Sequence, residues 1–372
     1  SYAITLIVNC VGILQDGPGG DTQSAHGDFV AHLLRALGKA GRPVPLIHIS
    51  IPGEPADERT AFSITKRKAD DLIAASGAPY AILRPGFVIA PAAFGGSALV
   101  RALAASPFDL PEVERARPFP AIGIADLADT VARLADRWNG GAWSDADWDV
   151  MHPDQTTVAA VIAAHRRWLG TSSRRRITLP AGLLNVGAWA ADLAGWLGWR
   201  PPIRSTALAE LRRGVRGDPG PWLAATGLEP RPLVGVLREM PATVQERWFA
   251  RLYIMKGLII PSLVVFWVVS GLIALTAYPA AVGILTSHGF SPALAHVTTV
   301  LSSLLDIGVG LAIAHRRTCR MGLRVGIAVS LFYMAGAALI TPELWIEPLG
   351  ALVKTGPAIV LMLVALAVLD ER

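Results

Sequence analysis

Four long stretches with almost no charge limit this fold more than any other feature of the sequence. Crossing the hydrocarbon core as a helix takes roughly 20 apolar residues, with a tolerated range of about 17–25. Residues 258–277 (LIIPSLVVFWVVSGLIALTA) hold no Asp, Glu, Lys or Arg. Residues 293–314 hold one acid, Asp306, and residues 349–369 hold one base, Lys354. Residues 322–340 have a shorter uncharged core that still suffices. A helix of a soluble protein keeps a polar face. Four in succession without one predict an all-α, four-helix transmembrane domain over residues 251–372. The chain is 52% hydrophobic and 17% charged, against about 45–50% and about 25% for soluble domains. Most of its charges lie before residue 257; beyond it they nearly vanish except in one short basic loop.

Lys and Arg set the expected orientation. Arg247, Arg251 and Lys256 precede the first span, and His315, Arg316, Arg317, Arg320 and Arg324 cluster between the second and third. The other two loops carry no Lys or Arg, and TPELWIEP is acidic. The reading is a multi-pass protein of the inner (cytoplasmic) membrane, with the N-terminal domain and the C-terminus cytoplasmic. Tyr278 and Trp345 fall at the outer interfaces. Charges inside a membrane are functional candidates by default, so Asp306 and Lys354 are singled out. Lys354 lies about a turn and a half into the expected last helix, where it either meets Asp306 or snorkels toward Glu347. For Asp306 an internal structural partner stands beside a ligand or proton role.

The net charge of +5 raises nucleic acid as a partner. The basic residues flank apolar segments instead of forming one face with interleaved aromatics, so membrane lipid is expected and nucleic acid is not. Two distant cysteines, Cys10 and Cys319, give neither a disulfide framework nor a metal spacing, and no metal is expected.

The N-terminal part alternates strand and helix patterns. Residues 4–8, 45–50 and 79–83 read as strands, and 29–37 and 61–76 as helices. This order implies βαβ units and a parallel sheet. Ligands of such sheets bind at the carboxyl ends of strands, which here are Asn9–Gly12, Ser50–Gly53 and Arg84–Val88. Phe62 and Lys66 stand four apart and share a helix face. A tyrosine at position 62 would gain acidity from the adjacent ammonium; phenylalanine transfers no proton. The other reading of Lys66 is a solvated surface lysine.

The segments VNCVG, LIHIS, FSITKRKAD, LRPGFVIAP and AIGIADLADTVARLAD resemble an atypical short-chain dehydrogenase/reductase, of the kind related to the 39-kDa subunit of respiratory complex I. The resemblance covers roughly residues 4–240. It implies an α/β Rossmann-like fold binding NAD or NADP, with 1–150 as an incomplete cofactor domain and 151–250 as its substrate-side, juxtamembrane part. It places Asn9, Gly12, Ser50, Lys66, Pro85, Gly86 and Val88 at the cofactor. It makes Lys66 the counterpart of the catalytic lysine in the family's Tyr-x-x-x-Lys helix, with Phe62 in the tyrosine's place. The family's glycine-rich pyrophosphate turn is missing, and the chain reads as a fragment entered in mid-fold. Gly17-Pro18-Gly19-Gly20 is read as no substitute, for want of a strand–helix crossover around it. Arg174, Arg175 and Arg176 read either as a solvated or membrane-facing basic patch or as an anion site.

The segments FWVVSG, LLDIGVG and PELWIEPLGALVKTGP resemble the DoxX-like family of four-helix membrane proteins and put Asp306 and Lys354 on motif positions. Together the resemblances imply a membrane-anchored NAD(P)-binding reductase-like protein acting on a quinone or lipid-linked substrate. The alternative is a non-catalytic cofactor sensor or assembly factor for a membrane redox complex, with respiratory-complex components as partners. A third reading is a membrane domain that binds or moves a small molecule through Asp306.

Overall fold

A computed structural model describes residues 4–171, 175–346 and 352–370. The chain divides into two compact units: residues 1–196 with 200–251, and residues 197–199 with 252–372.

The first unit is built on a parallel sheet. Its strands β1 (Ile7–Asn9), β2 (Leu46–Ile49) and β3 (Tyr80–Pro85) lie side by side in sequence order. Strand β4 (Phe87–Ile89) follows β3 directly and pairs in parallel with β5 (Ala121–Gly123), and β6 (Ala146–Val150) closes the main sheet beside β3. Side chains of a strand alternate between faces, and this sheet is buried on both. Leu46 and Ile82 pack with Val30, Ala69 and Ile73 from helices α1 (Phe29–Gly38) and α2 (Ala61–Ala74). Ile47, Ala81 and Leu83 pack on the other side with Leu127, Leu134 and Trp222. Helices on both faces of a parallel sheet make a Rossmann-like α/β fold. Helix α3 (Ala181–Trp196) buries Leu184 and Ala188 against Val161 and Ile162 at the edge of this unit.

Local chemistry explains the entry to α2. Thr60 accepts the Ser63 N–H at 3.1 Å, and Ser63 Oγ accepts the Thr60 N–H at 3.3 Å, a reciprocal cap that satisfies two open amides.

A crossover does surround Gly17–Gly20: β1 leads through this loop and through residues 23–38 to β2, its parallel neighbour. Two of the loop's amides are already taken. Asp16 accepts the Thr22 N–H at 2.7 Å and Asp21 accepts the Ser24 N–H at 2.8 Å, so carboxylates occupy these two amides at the start of the following helical segment.

The second unit is helical. Helix α4 (Val244–Thr276) is followed by α5 (Tyr278–Ser287), α6 (Pro292–Ala314), α7 (Cys319–Ile340) and α8 (Thr355–Ala367). Among the described residues α4, α6 and α7 are long and apolar enough to cross a membrane. The first begins well before the expected residue 258. Its 33 residues span about 50 Å at about 1.5 Å per residue, so its charged beginning extends past a hydrocarbon core of about 30 Å. Pro279 brings a fixed φ and no N–H, and the chain starts a new short helix there instead of a loop.

The last expected span is also shorter. Helix α8 has 13 residues, and 349–351 lie outside the described residues. Pro357 falls in its first turn, where a missing N–H costs nothing; a helix running through from residue 349 would put it in the interior. Lys354 is therefore the exposed residue preceding α8, not a residue inside it.

The helices meet at glycines, as membrane helices do where backbones approach closely. A Cβ on Gly271 of α4 would stand 2.5 Å from the Ser303 carbonyl oxygen and 3.2 Å from Asp306 Cβ of α6. One on Gly310 of α6 would stand 3.2 Å from Trp267 Cβ. Trp267 is itself buried among Val309, Ile313, Leu323 and Met362.

Candidate functional site

The carboxyl ends of β1 and β2 gather a buried polar cluster around Lys66. Thr60 fixes the start of α2, so Lys66 falls on its buried face and runs up to the strand ends. Its ammonium donates to the Ile49 carbonyl at 2.9 Å and the Val11 carbonyl at 3.1 Å. It is 4% exposed, which removes the solvated-surface reading. Burial lowers its pKa to about 8, against the opposing pull of Asp70 and Cys10. Gly12 adjoins it: a Cβ there would sit 3.5 Å from both Lys66 Cε and Nζ.

Two buried histidines complete the cluster, and the sequence reading did not single out either. His26 Nε2 accepts the Ile13 N–H at 3.1 Å, which leaves the proton on Nδ1 for Thr65 Oγ1 at 2.8 Å. Thr65 passes its own hydroxyl proton to the Ala61 carbonyl at 2.7 Å. Burial first, and then the charge of Lys66, hold His26 down at about 4. On β2, His48 Nδ1 accepts from Asn9 Nδ2 at 2.9 Å, and Asn9 Oδ1 accepts the Val11 N–H at 3.0 Å. Burial and then Lys66 push His48 down to about 3. Both imidazoles are neutral at pH 7, so Lys66 carries the positive charge of the cluster.

Behind His48 lies Asp70, one turn further along α2 from Lys66. Burial raises its carboxyl to about 6, against stabilisation from Ser50, Arg84 and Arg67. Arg84 bridges from Asp70 at 3.2 Å to Asp147 at 2.5 Å. The Ser50 hydroxyl stands beside Asp70 without closing a hydrogen bond among the described residues.

Asn9, Gly12, Ser50 and Lys66 thus lie together at the strand ends. Pro85, Gly86 and Val88 lie one strand over. The Gly86 N–H donates to Val150 at 3.0 Å and the Phe87 N–H to Pro120 at 2.8 Å, so the chain changes sheets at this point. A Cβ on Gly86 would stand 2.5 Å from the Pro120 carbonyl oxygen, so only glycine fits. Two open grooves of about 230 and 240 Å³ flank His152, and neither shares a residue with the Lys66 cluster.

Phe62 stands where the resemblance places a tyrosine. Its ring meets His26 edge-on, with centroids 5.6 Å apart. No hydroxyl is available at this position, and the nearby imidazole is fully occupied by Ile13 and Thr65.

In the helical unit the polar centre is Asp306, 7% exposed. The Tyr333 hydroxyl of α7 donates to it at 3.0 Å, and the Ser270 side chain of α4 stands beside the same carboxyl. The Trp-x-x-Ser-Gly and Leu-Asp-x-x-x-Gly segments therefore pack on each other: Gly271 lies against Asp306, and Gly310 against Trp267. Asp306 takes the Tyr333 hydroxyl as partner, and no ion pair with Lys354 occurs among the described residues. Glu347 and Arg174 lie outside those residues. Arg175 is exposed, while Arg176 donates to the Ser106 and Thr171 carbonyls, both at 2.7 Å. Cys10 and Cys319 are free, and no cluster of metal-ligating side chains occurs among the described residues.

The class defined by fold and site is a Rossmann-like α/β unit with a lysine-centred polar cluster at its strand ends, joined to apolar, membrane-type helices. Residues 264–363 match the model of the DoxX-like family. The chain is also similar to several solved structures. A human epimerase family protein with NADPH shares 18% identity over 64% of this chain and 82% of its own, with a TM-score of 0.49. A nucleoside-diphosphate-sugar epimerase from Staphylococcus aureus shares 16% over 63% and 76%, with a TM-score of 0.48. A UDP-glucuronic acid 4-epimerase from Bacillus cereus, solved with UDP-glucuronic acid and NAD, shares 13% over 67% and 76%, with a TM-score of 0.45. No curated protein matches the chain.

Proposed function

We propose that this chain is a membrane-anchored, NAD(P)-binding, reductase-like protein that acts beside the bilayer on a quinone or lipid-linked substrate. Lys66 carries the reading. Its ammonium is fixed at the carboxyl ends of two parallel strands, where such folds take ligands. Two of its three N–H groups are held by Val11 and Ile49, and the third suits a ribose hydroxyl. The Ser50 hydroxyl, buried without a closed hydrogen bond, is a second group fitted to a polyhydroxylated ligand. A nicotinamide cofactor would supply hydride chemistry when bound. The chain would hold its ribose through Lys66 and Ser50, with Asn9 keeping the β1 end in shape and Gly12 keeping the approach open.

The placement of Phe62 against His26 favours a second reading, a cofactor sensor or assembly factor for a membrane redox complex. In that reading the α/β unit binds nucleotide and moves no proton. The basic residues Arg316, Arg317, Arg320 and Arg324 support a cytoplasmic face for that end of the helices, and with it for the N-terminal unit and the C-terminus of an inner-membrane protein.

Titration of the full chain in vesicles with NADH and NADPH, followed by turnover with a soluble quinone, separates these readings. Binding with turnover in the native chain supports the reductase. Binding without turnover, in both the native chain and Phe62→Tyr, supports the sensor. Absence of binding by either nucleotide removes both.

A further inference from the structure

Helix α3 is packed on one side only. Leu184 and Ala188 face the core of the α/β unit, yet Leu183, Val186, Trp189, Leu193 and Trp196 are 57%, 61%, 64%, 49% and 74% exposed. Steps of three and four residues put these five on one face of a helix. A continuous apolar stripe with two tryptophans on the outside of a folded unit marks an interaction surface. Asn185 lies beside the stripe and is held by Arg212 at 2.9 Å; Asp192, behind it, is held by Arg204 at 2.9 Å.

We propose that α3 lies in the plane of the bilayer interface, with its exposed face buried among lipid headgroups and upper acyl chains. This rests on the membrane-spanning reading of the helical unit. Three observations name lipid as the occupant. The first is continuity. One residue after α3, the Leu197 carbonyl accepts the Arg316 N–H at 2.9 Å, and Trp199 Nε1 donates to the Ala314 carbonyl at 2.7 Å. Ala314 ends the α6 span, and residues 197–199, which follow α3 in the chain, belong to the membrane-type unit. The second is composition, since tryptophan concentrates at membrane–water interfaces. The third is charge. Exposed Arg175 and Arg200 flank the two ends of the helix, and Arg316 stacks on the Trp199 ring at 5.4 Å. Bases at the edges of an apolar face suit an anionic lipid surface.

Spin labels on cysteines test this in the full chain carrying Cys10→Ser and Cys319→Ala, reconstituted in phosphatidylcholine–phosphatidylglycerol vesicles. Labels at Val186→Cys, Trp189→Cys and Leu193→Cys are compared with Leu301→Cys on the outward face of α6 and Asp71→Cys on the exposed side of α2. Accessibility to oxygen and to a water-soluble nickel chelate is measured. The expected result is a several-fold higher oxygen-to-nickel ratio at the three α3 sites than at position 71, approaching that at 301. If the α3 labels match position 71 while 301 is lipid-like, the inference falls and the membrane reading stands. If 301 is itself water-accessible, both fall. Strong dipolar coupling between α3 labels of two molecules would assign the face to a second copy and overturn the proposal.

Discussion

The two units bury polar groups by different means. In the α/β unit a cation is held by backbone: strand ends leave carbonyls open, and Val11 and Ile49 take the Lys66 ammonium. Neighbouring imidazoles adapt by staying neutral. In the helical unit the backbone is closed by its own hydrogen bonds, so Asp306 depends on side chains, and the Tyr333 hydroxyl supplies the bond. A sheet edge can hold a charge for a ligand. A helix bundle satisfies a charge only by choosing facing residues, and it needs glycines such as Gly271 to bring them near.

The comparison breaks most readily at that glycine. Gly271→Leu would drive side-chain atoms into the Ser303 carbonyl and Ile307. Overpacking costs about 1–3 kcal/mol and occasionally more. We expect the upper end here, because backbone is what blocks the new atoms. Thermal unfolding in detergent should show it, and an unchanged midpoint would refute the close helix contact. Next is Lys66→Met, which leaves two buried carbonyls without a donor at about 1–3 kcal/mol for an unsatisfied group. Release of a buried ammonium offsets part of this, so about 2 kcal/mol is expected by denaturant titration, together with loss of nucleotide binding. A variant that binds nucleotide normally would take Lys66 out of the site.

A pH titration sharpens the contrast further. His26 and His48 are held near 4 and 3 when folded and titrate near the usual 6.5 when unfolded. The unfolded chain therefore binds more protons below pH 6.5, and stability falls as pH drops from there toward 4. Asp70, raised to about 6, works in the opposite sense, since the folded chain takes up its proton first. Two groups against one leave a net of about one proton, or roughly 1.4 kcal/mol lost per pH unit between pH 6 and 5. His48→Gln should flatten this slope, and an equally steep slope would deny His48 its part. The smallest effect belongs to Asp306→Asn. An amide still accepts from Tyr333, so the change in stability should stay under about 1 kcal/mol. Altered proton or solute movement in vesicles at unchanged stability would assign Asp306 a ligand role.

The parallel α/β order and the apolar spans were legible in the sequence, because each follows from periodicity alone. The start of α4 was not. Hydropathy detects where lipid can begin, whereas Glu246, Arg247 and Lys256 are compatible with a helix in water. Helix α5 was hidden for a related reason, since Pro279 opens a helix as readily as it ends one. Lys66 could be named only through the family resemblance, because the four-residue spacing alone left a solvated surface lysine open. His26 and His48 could not: a histidine in a short helical turn or a buried strand carries no sign of partners such as Thr65 and Asn9, each 39 residues away. One signal was present: both the LIHIS strand and the FSITKRKAD helix carry polar residues at positions that face inward in a βαβ unit. The Asp306 contact with Tyr333 joins helices with no fixed spacing, so only packing reveals it.

Gly86 has a consequence for how this chain can vary. It is the point where the backbone leaves one sheet for another, pressed against Pro120 with no room for a single carbon. Two residues before it, Arg84 reaches Asp70 and Asp147; directly after it, β4 takes up its pairing with β5. The length of chain between those commitments is fixed like the gap between two dowels in a joint. Loops elsewhere can lengthen, but an insertion or deletion between residues 84 and 87 would pull apart either the ion-pair network or the second sheet.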